Sequence, residues 1–139
     1  MRIVIDTNVF VSGIFNKKSV PGKIIEAFFD AILEVVCSIE QLAELSNVLF
    51  YPKVYKTLQK NGWNEESISG YIKTISLAVE LADISLVDAI VPRDHKDNHI
   101  LALLISSEAD YLVTGDNDLL ALSEEYSILS PKDFFDKWL

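Results

Sequence analysis

A set of acidic side chains stands where an open α/β sheet places its ligands. Asp6 ends the apolar run Ile3-Val4-Ile5, Asp116 and Asp118 follow Tyr111-Leu112-Val113-Thr114, Asp97 opens an apolar helical block, and Glu44 sits on the helix after a further apolar run. Ligands of such sheets bind beyond the carboxyl ends of the strands, so the residues just after each strand carry the chemistry. Carboxylates converging in a low-dielectric cleft repel one another strongly unless neutralised. Arg93 and Lys96 are the cations close to them in sequence, so a divalent ion is the economical neutraliser, and all-oxygen ligands favour Mg²⁺ or Mn²⁺ over zinc. Each acid also has a plain reading. An Asp after a strand commonly forms a helix cap or turn, and Glu44, among Leu42, Leu45 and Leu49, can border the apolar face of a helix.

The elements that must position these acids follow from apolar period and cap residues. Residues 2–5 predict a buried strand that ends in the polar turn Asp6-Thr7-Asn8. Pro21 and the spacing of Ile24, Ile25, Ala27, Phe28, Phe29 and Ile32 predict a helix over 20–32, and 33–37 a second buried strand. Ser38 with Gln41 three residues on has the form of a capping box for a helix carrying Leu42, Leu45, Val48 and Leu49, ended by Pro52. Residues 53–60 predict a helical piece stopped by Asn61-Gly62, and a further helix runs from Asn64 to about Leu81. Helix end and then strand is the reading for 79–87, a loop for 91–98, a helix from near Asp97, and a strand over 109–114. A turn at 115–118, a short helix from Leu119, a strand at 126–129 and a helix capped by Ser130-Pro131 complete the chain. Alternating strands and helices predict an α/β three-layer sandwich, with a central, mainly parallel sheet covered by helices on both faces.

Composition narrows the classes. The 139 residues suit one domain with one sizeable core, with no repeat, linker or low-complexity segment. The single cysteine, Cys37, lies in an apolar run and reads as a core residue in a reducing, cytoplasmic setting. No apolar stretch has the length of a membrane span, and the N-terminus lacks the pattern of a signal peptide. Against 12 basic residues stand 21 acidic ones, a net charge of −9, which argues against broad phosphate-driven binding of nucleic acid. A nuclease is not excluded, because a site for divalent cations is itself built of carboxylates.

Local wording takes the reading further. The segments Ile3-Val4-Ile5-Asp6-Thr7-Asn8-Val9-Phe10-Val11-Ser12, Gln41-Leu42-Ala43-Glu44-Leu45, Asp94 to Leu101 with Asp97-Asn98, and Ala109-Asp110-Tyr111-Leu112-Val113-Thr114-Gly115-Asp116 resemble the PIN-domain nucleases. Within that family the likeness is to the toxin-like (VapC-like) prokaryotic branch. The resemblance implies a PIN-like sandwich and a Mg²⁺- or Mn²⁺-dependent endoribonuclease, with Asp6, Glu44, Asp97 and Asp116 as its acidic centre and Asp118 as a further ligand or supporting group. It also implies that Asn8 and Thr114 orient the carboxylates by hydrogen bonds, that a cognate antitoxin restrains the protein, and that the chain forms a homodimer. Divalent ions at such a centre would acidify water, align it with phosphorus and neutralise the leaving oxygen, while Asp116 or Asp97 accepts the proton. The helix after Asp97 departs from the family pattern, with Leu-Leu-Ile-Ser-Ser where small residues are usual.

Other residues carry weaker signals. His95 and His99 sit four apart, the spacing of a transition-metal pair, with Asp97 between them and no third soft ligand. Tyr51, Lys53, Tyr55, Lys56 and Lys60 interleave aromatics with the densest positive charge in the chain, which makes Lys53 and Lys56, together with Arg93, candidates for contacting RNA; an ordinary exposed helix is the alternative. Phe28, Phe29, Phe134, Phe135 and Trp138 fall at helix-packing spacing. Two functional alternatives remain: a non-catalytic PIN-like module acting through a protein partner, and a small metal-dependent phosphatase. The phosphatase with an Asp nucleophile wants a second Asp two residues after the first, where Asn8 stands.

Overall fold

The computed structural model describes residues 1–139. Strands β1 (Arg2–Ile5), β2 (Glu34–Cys37), β3 (Glu80–Leu81), β4 (Tyr111–Val113) and β5 (Ile128–Leu129) form one sheet in the order β3-β2-β1-β4-β5, with every neighbouring pair parallel. Helices α1 (Thr7–Phe15), α2 (Val20–Phe29), α3 (Ile39–Leu49), α4 (Pro52–Lys60) and α5 (Glu65–Ala78) precede the turn of 3-10 helix at His95–Asp97. Then come α6 (Asn98–Ser107), α7 (Asn117–Leu120) and α8 (Pro131–Trp138). No helix is long and apolar enough to cross a membrane.

The layers follow from the two-residue period of the strands. Ile3, Ile5, Val35, Cys37 and Val113 point into one core, with buried residues of α1 to α5 and Phe134 of α8. Val4, Val36, Leu112 and Ile128 point into the other, against Ile100, Leu101, Leu103 and Leu104 of α6 and Leu119 of α7. Both faces of the sheet are therefore apolar, as the continuous hydrophobic strand sequences require.

Several boundaries differ from the expectations. Asp6-Thr7-Asn8 is not a turn: α1 begins at Thr7 directly after the strand, a helix that its nearly uniform apolar sequence conceals because both sides of it are packed. The helix expected to reach Leu81 ends at Ala78, because Glu80 and Leu81 pair with Val36 and Cys37 as the edge strand. The capping box at Ser38 forms by half. Ser38 Oγ accepts from the Gln41 N–H at 3.0 Å, but the Gln41 side chain crosses to the end of β1 and donates to the Ile5 carbonyl at 2.5 Å. Pro52 follows α3 as expected and also opens α4.

The connection between α1 and α2 fixes the layer that carries Asp6. Ser19 caps α2 by accepting from the Gly22 N–H, while the carbonyls of Asn16 and Lys17 fold over the same glycine. A Cβ at Gly22 would stand 2.5 Å from the Lys17 oxygen and 2.6 Å from that of Asn16. Gly22→Ala is accordingly expected to lower the unfolding free energy by roughly 1–3 kcal/mol in chemical denaturation. An unchanged midpoint would show that this turn relaxes without cost.

Candidate metal centre

Strand order places a crevice between β1 and β4. From β1 the chain moves outward through β2 to β3, and β4 returns to the opposite side of β1, so the carboxyl ends of β1 and β4 flank the topological switch point. Asp6 follows β1 and its N–H donates to the Val113 carbonyl of β4 at 2.9 Å. Thr114 follows β4 and its hydroxyl donates to Asp6 Oδ2 at 2.7 Å. The same Thr114 oxygen accepts from the Asp116 N–H at 3.0 Å, so one hydroxyl sets the positions of two acids.

The acids differ in what they are already doing. Asp116 caps α7 by accepting from the Asp118 N–H at 2.8 Å, and Asp94 caps the 3-10 turn by accepting from the Lys96 N–H at 3.0 Å. Asp6 precedes α1 without a side-chain bond to it and accepts from Thr114 instead. Asp97 has helical backbone angles where the 3-10 turn capped by Asp94 runs into α6, so its carboxylate is not used as a cap. Asp6 is 4% exposed and Asp97 Oδ2 is buried without a hydrogen-bond partner.

Burial and crowding appear in the proton affinities. Burial raises the Asp6 carboxyl, against the Thr114 hydrogen bond, with Asp116 and Glu44 adding to the rise. Asp97 is pushed up to about 8 by burial, by a shared hydrogen bond with Asp116, and by the charges of Asp116, Asp6 and Asp94. Glu44 moves the other way. His99 Nε2 lies 2.8 Å from Glu44 Oε2, a bond that holds the glutamate below its usual range and raises the histidine in return.

Electrostatic interactions link Asp6 to Asp116 and Glu44, and Asp97 to Asp116, Asp6 and Asp94. Asp118 lies at the edge of this set, where Asp94, Asp97 and Asp118 each offer an oxygen within 4.8 Å of the other two. Arg93 pairs with Asp118 at 3.0 Å. Thr114 bonds Asp6, whereas Asn8 is exposed on α1 with no side-chain hydrogen bond to the acids. Lys53 and Lys56 are exposed on α4 and take no part in an ion pair with the cluster. Sequence reasoning gave Asp94 no site role and weighed His99 only beside His95 as a transition-metal ligand. Asp94 had a faint signal, three residues before Asp97, but His99 meets a partner 55 residues away that no spacing connects to it. Its pairing with Glu44 also separates it from the two-histidine transition-metal reading.

The donor set fits a hard divalent cation. Its acids supply oxygen only, Arg93 and His99 neutralise Asp118 and Glu44, and the orphaned Asp97 oxygen with buried Asp6 leaves charge that no protein cation balances.

Comparison with known proteins agrees with this chemistry. The sequence matches the family described as PIN domain over residues 2–118. The chain belongs to the PIN domain family. PIN domains are generally nucleases, so a nucleic-acid substrate and a divalent metal are implied for this one. It is similar to an uncharacterized protein of Methanocaldococcus jannaschii, 30% identical over 148 residues that span 99% of this chain and 92% of that one. No solved structure matches it.

The carboxyl cluster gives this PIN domain a definite pH response in the absence of metal. Groups raised in the folded state, Asp6 and Asp97, hold protons that the unfolded chain releases near the ordinary carboxyl value, so their contribution falls as pH rises toward about 8. The raised His99 acts in the same direction, while lowered Glu44 loses its contribution only in acid. Melting temperature in chelator is therefore expected to fall between about pH 5 and 8, and Mn²⁺ to restore it most at the alkaline end. Asp97→Asn, which can donate to Asp116 without a shared proton, should flatten the slope and raise the melting temperature at pH 8. A slope equal to wild type would remove Asp97 from the centre of the repulsion.

Proposed function

We propose that the chain is a single-domain, Mg²⁺- or Mn²⁺-dependent endoribonuclease of the cytoplasm, the toxin of a toxin–antitoxin pair, working as a homodimer. The observation that carries the nuclease reading is the crowding of two carboxylates, buried Asp6 and Asp97 with its unpartnered Oδ2, against each other and Asp116 beyond the ends of β1 and β4. The toxin role and the antitoxin partner rest on the sequence likeness to the VapC-like branch.

In this reading Asp6, Glu44, Asp97 and Asp116 hold the metal, with Asp118 as a further ligand. A bound ion supplies Lewis-acid stabilisation of charge on the phosphate and acidifies water at neutral pH. The chain's own residues do the rest. Thr114 keeps one Asp6 oxygen engaged and so fixes the carboxylate's position, and His99 favours the ionised form of Glu44. Asp97 and Asp116 share a hydrogen bond and are the groups placed to accept the proton of attacking water. Lys53 and Lys56 on α4, and Arg93 once released from Asp118, attract the RNA backbone.

The decisive experiment combines metal binding with cleavage. Calorimetry of chelator-stripped protein should show Mn²⁺ binding that Asp97→Asn loses, and single-stranded RNA should be cut with Mg²⁺ or Mn²⁺ and left intact with chelator. Asp6→Asn, Asp97→Asn and Asp116→Asn are each expected to lower kcat by a hundredfold or more, about 3 kcal/mol of transition-state stabilisation, while remaining folded. Metal-dependent cleavage at wild-type rate in any of them would refute its assignment, and metal binding with no cleavage would favour the non-catalytic module. The double variant Lys53→Glu/Lys56→Glu should raise KM for RNA several-fold at low salt and lose that difference at high salt, as a long-range charge effect does. A KM that does not move would take α4 out of the RNA path.

A further inference from the structure

Along α3 the residues Glu40, Ala43, Glu44, Asn47 and Val48 recur at helical spacing, on the side opposite buried Gln41, Leu45 and Leu49. With Tyr51 and His99 they line a cavity of about 670 Å³. Glu44 and His99, bonded to each other at 2.8 Å, belong both to this cavity and to the carboxyl cluster, so the two spaces adjoin. Glu40 and Asn47 keep their hydrogen-bonding groups free on the exposed side of the helix.

Tyr51 is the unusual member. It is the most exposed aromatic side chain of the protein, at 66%. Its neighbours Phe50 and Tyr55 pack on each other with ring centres 5.8 Å apart, while the Tyr51 ring has no aromatic partner. The backbone beneath it is fixed: its N–H donates to the Val48 carbonyl at 3.1 Å and its carbonyl accepts from the Tyr55 N–H at 2.8 Å. An exposed flat ring thus lines an open cavity, on a fixed backbone about two helical turns from Glu44.

We propose that this cavity is a nucleobase subsite, in which the base beside the scissile phosphate stacks on Tyr51 and turns an exocyclic amino group toward Glu40 and Asn47. The link to the scissile phosphate rests on the nuclease reading; binding of the base does not. Single-stranded RNA is recognised through splayed bases stacked on aromatic side chains, and stacking accepts every base because each has a π-face. Selection then falls to the edge. A carboxylate only accepts hydrogen bonds, so Glu40 favours cytosine, adenine or guanine over uracil, which carries carbonyls where they carry an amino group.

The test separates base binding from cleavage by using uncharged nucleosides. Nitrogen-labelled full-length protein, free of metal, is titrated with cytidine and with uridine while the backbone amides are followed by NMR. Cytidine should shift Ala43, Asn47 and Val48 saturably at millimolar concentration, and uridine several-fold more weakly. Tyr51→Ala is expected to weaken cytidine about tenfold, Tyr51→Phe to preserve binding, and Glu40→Gln, which both donates and accepts, to make the two nucleosides alike. Shifts absent from these residues, or unchanged in Tyr51→Ala, overturn the subsite whether or not RNA is cut. A protein that binds cytidine here yet cuts no RNA with Mn²⁺ keeps the subsite and loses the nuclease reading instead.

Discussion

Like charges held close together in a partly dry crevice are the constraint around which this molecule is arranged. The charge of Asp116 opposes ionisation of Asp6 and of Asp97, and the rest of the fold determines that the three cannot move apart. Asp6 is pinned between β1 and β4 by its own N–H and by the Thr114 hydroxyl. Asp97 is fixed at the junction of a 3-10 turn and α6, and Asp116 by the cap it makes for α7. Each restraint belongs to a different element, so relief by local relaxation is blocked and the repulsion persists as affinity for a cation or a proton.

The surrounding polar contacts sort the acids by task. His99 and Arg93 neutralise Glu44 and Asp118 at the rim, and backbone N–H groups engage Asp94 and Asp116. What remains without a balancing charge is concentrated on Asp6 and Asp97, which face each other electrostatically. Gln41 adds to this arrangement from beneath, since its bond to the Ile5 carbonyl ties the helix bearing Glu44 to the strand that ends at Asp6.

Much of the fold was legible because strand and helix periods are local properties. Residues 33–37 and 109–114 read as strands and contain β2 and β4, and Ser38, Asn64 and Ser130 cap helices as their types suggest. The failures have physical causes. Helix α1 buries six of its nine residues in a mainly apolar sequence, which hides its period, and the helix expected to reach Leu81 stops at Ala78 because the strand read within 79–87 begins at Glu80. Of the candidate acids, Asp6, Glu44, Asp97 and Asp116 stood out by their positions near strand ends and by their wording. Asp94 and His99 did not, because a cap residue and a lone histidine look alike in a chain whether or not an acid lies nearby.

By itself the sequence determined the α/β class, the layers implied by apolar strands, the acidic residue types and the family they resemble, since each is written in composition, period or a short motif. Tertiary structure alone decided which acids lie near one another, which are balanced by His99 and Arg93, and that Asp97 Oδ2 is left without a partner. Those properties depend on strand order and on distances between residues far apart in the chain. Asp6 and Thr114, separated by 108 positions, become partners only because β1 and β4 lie side by side.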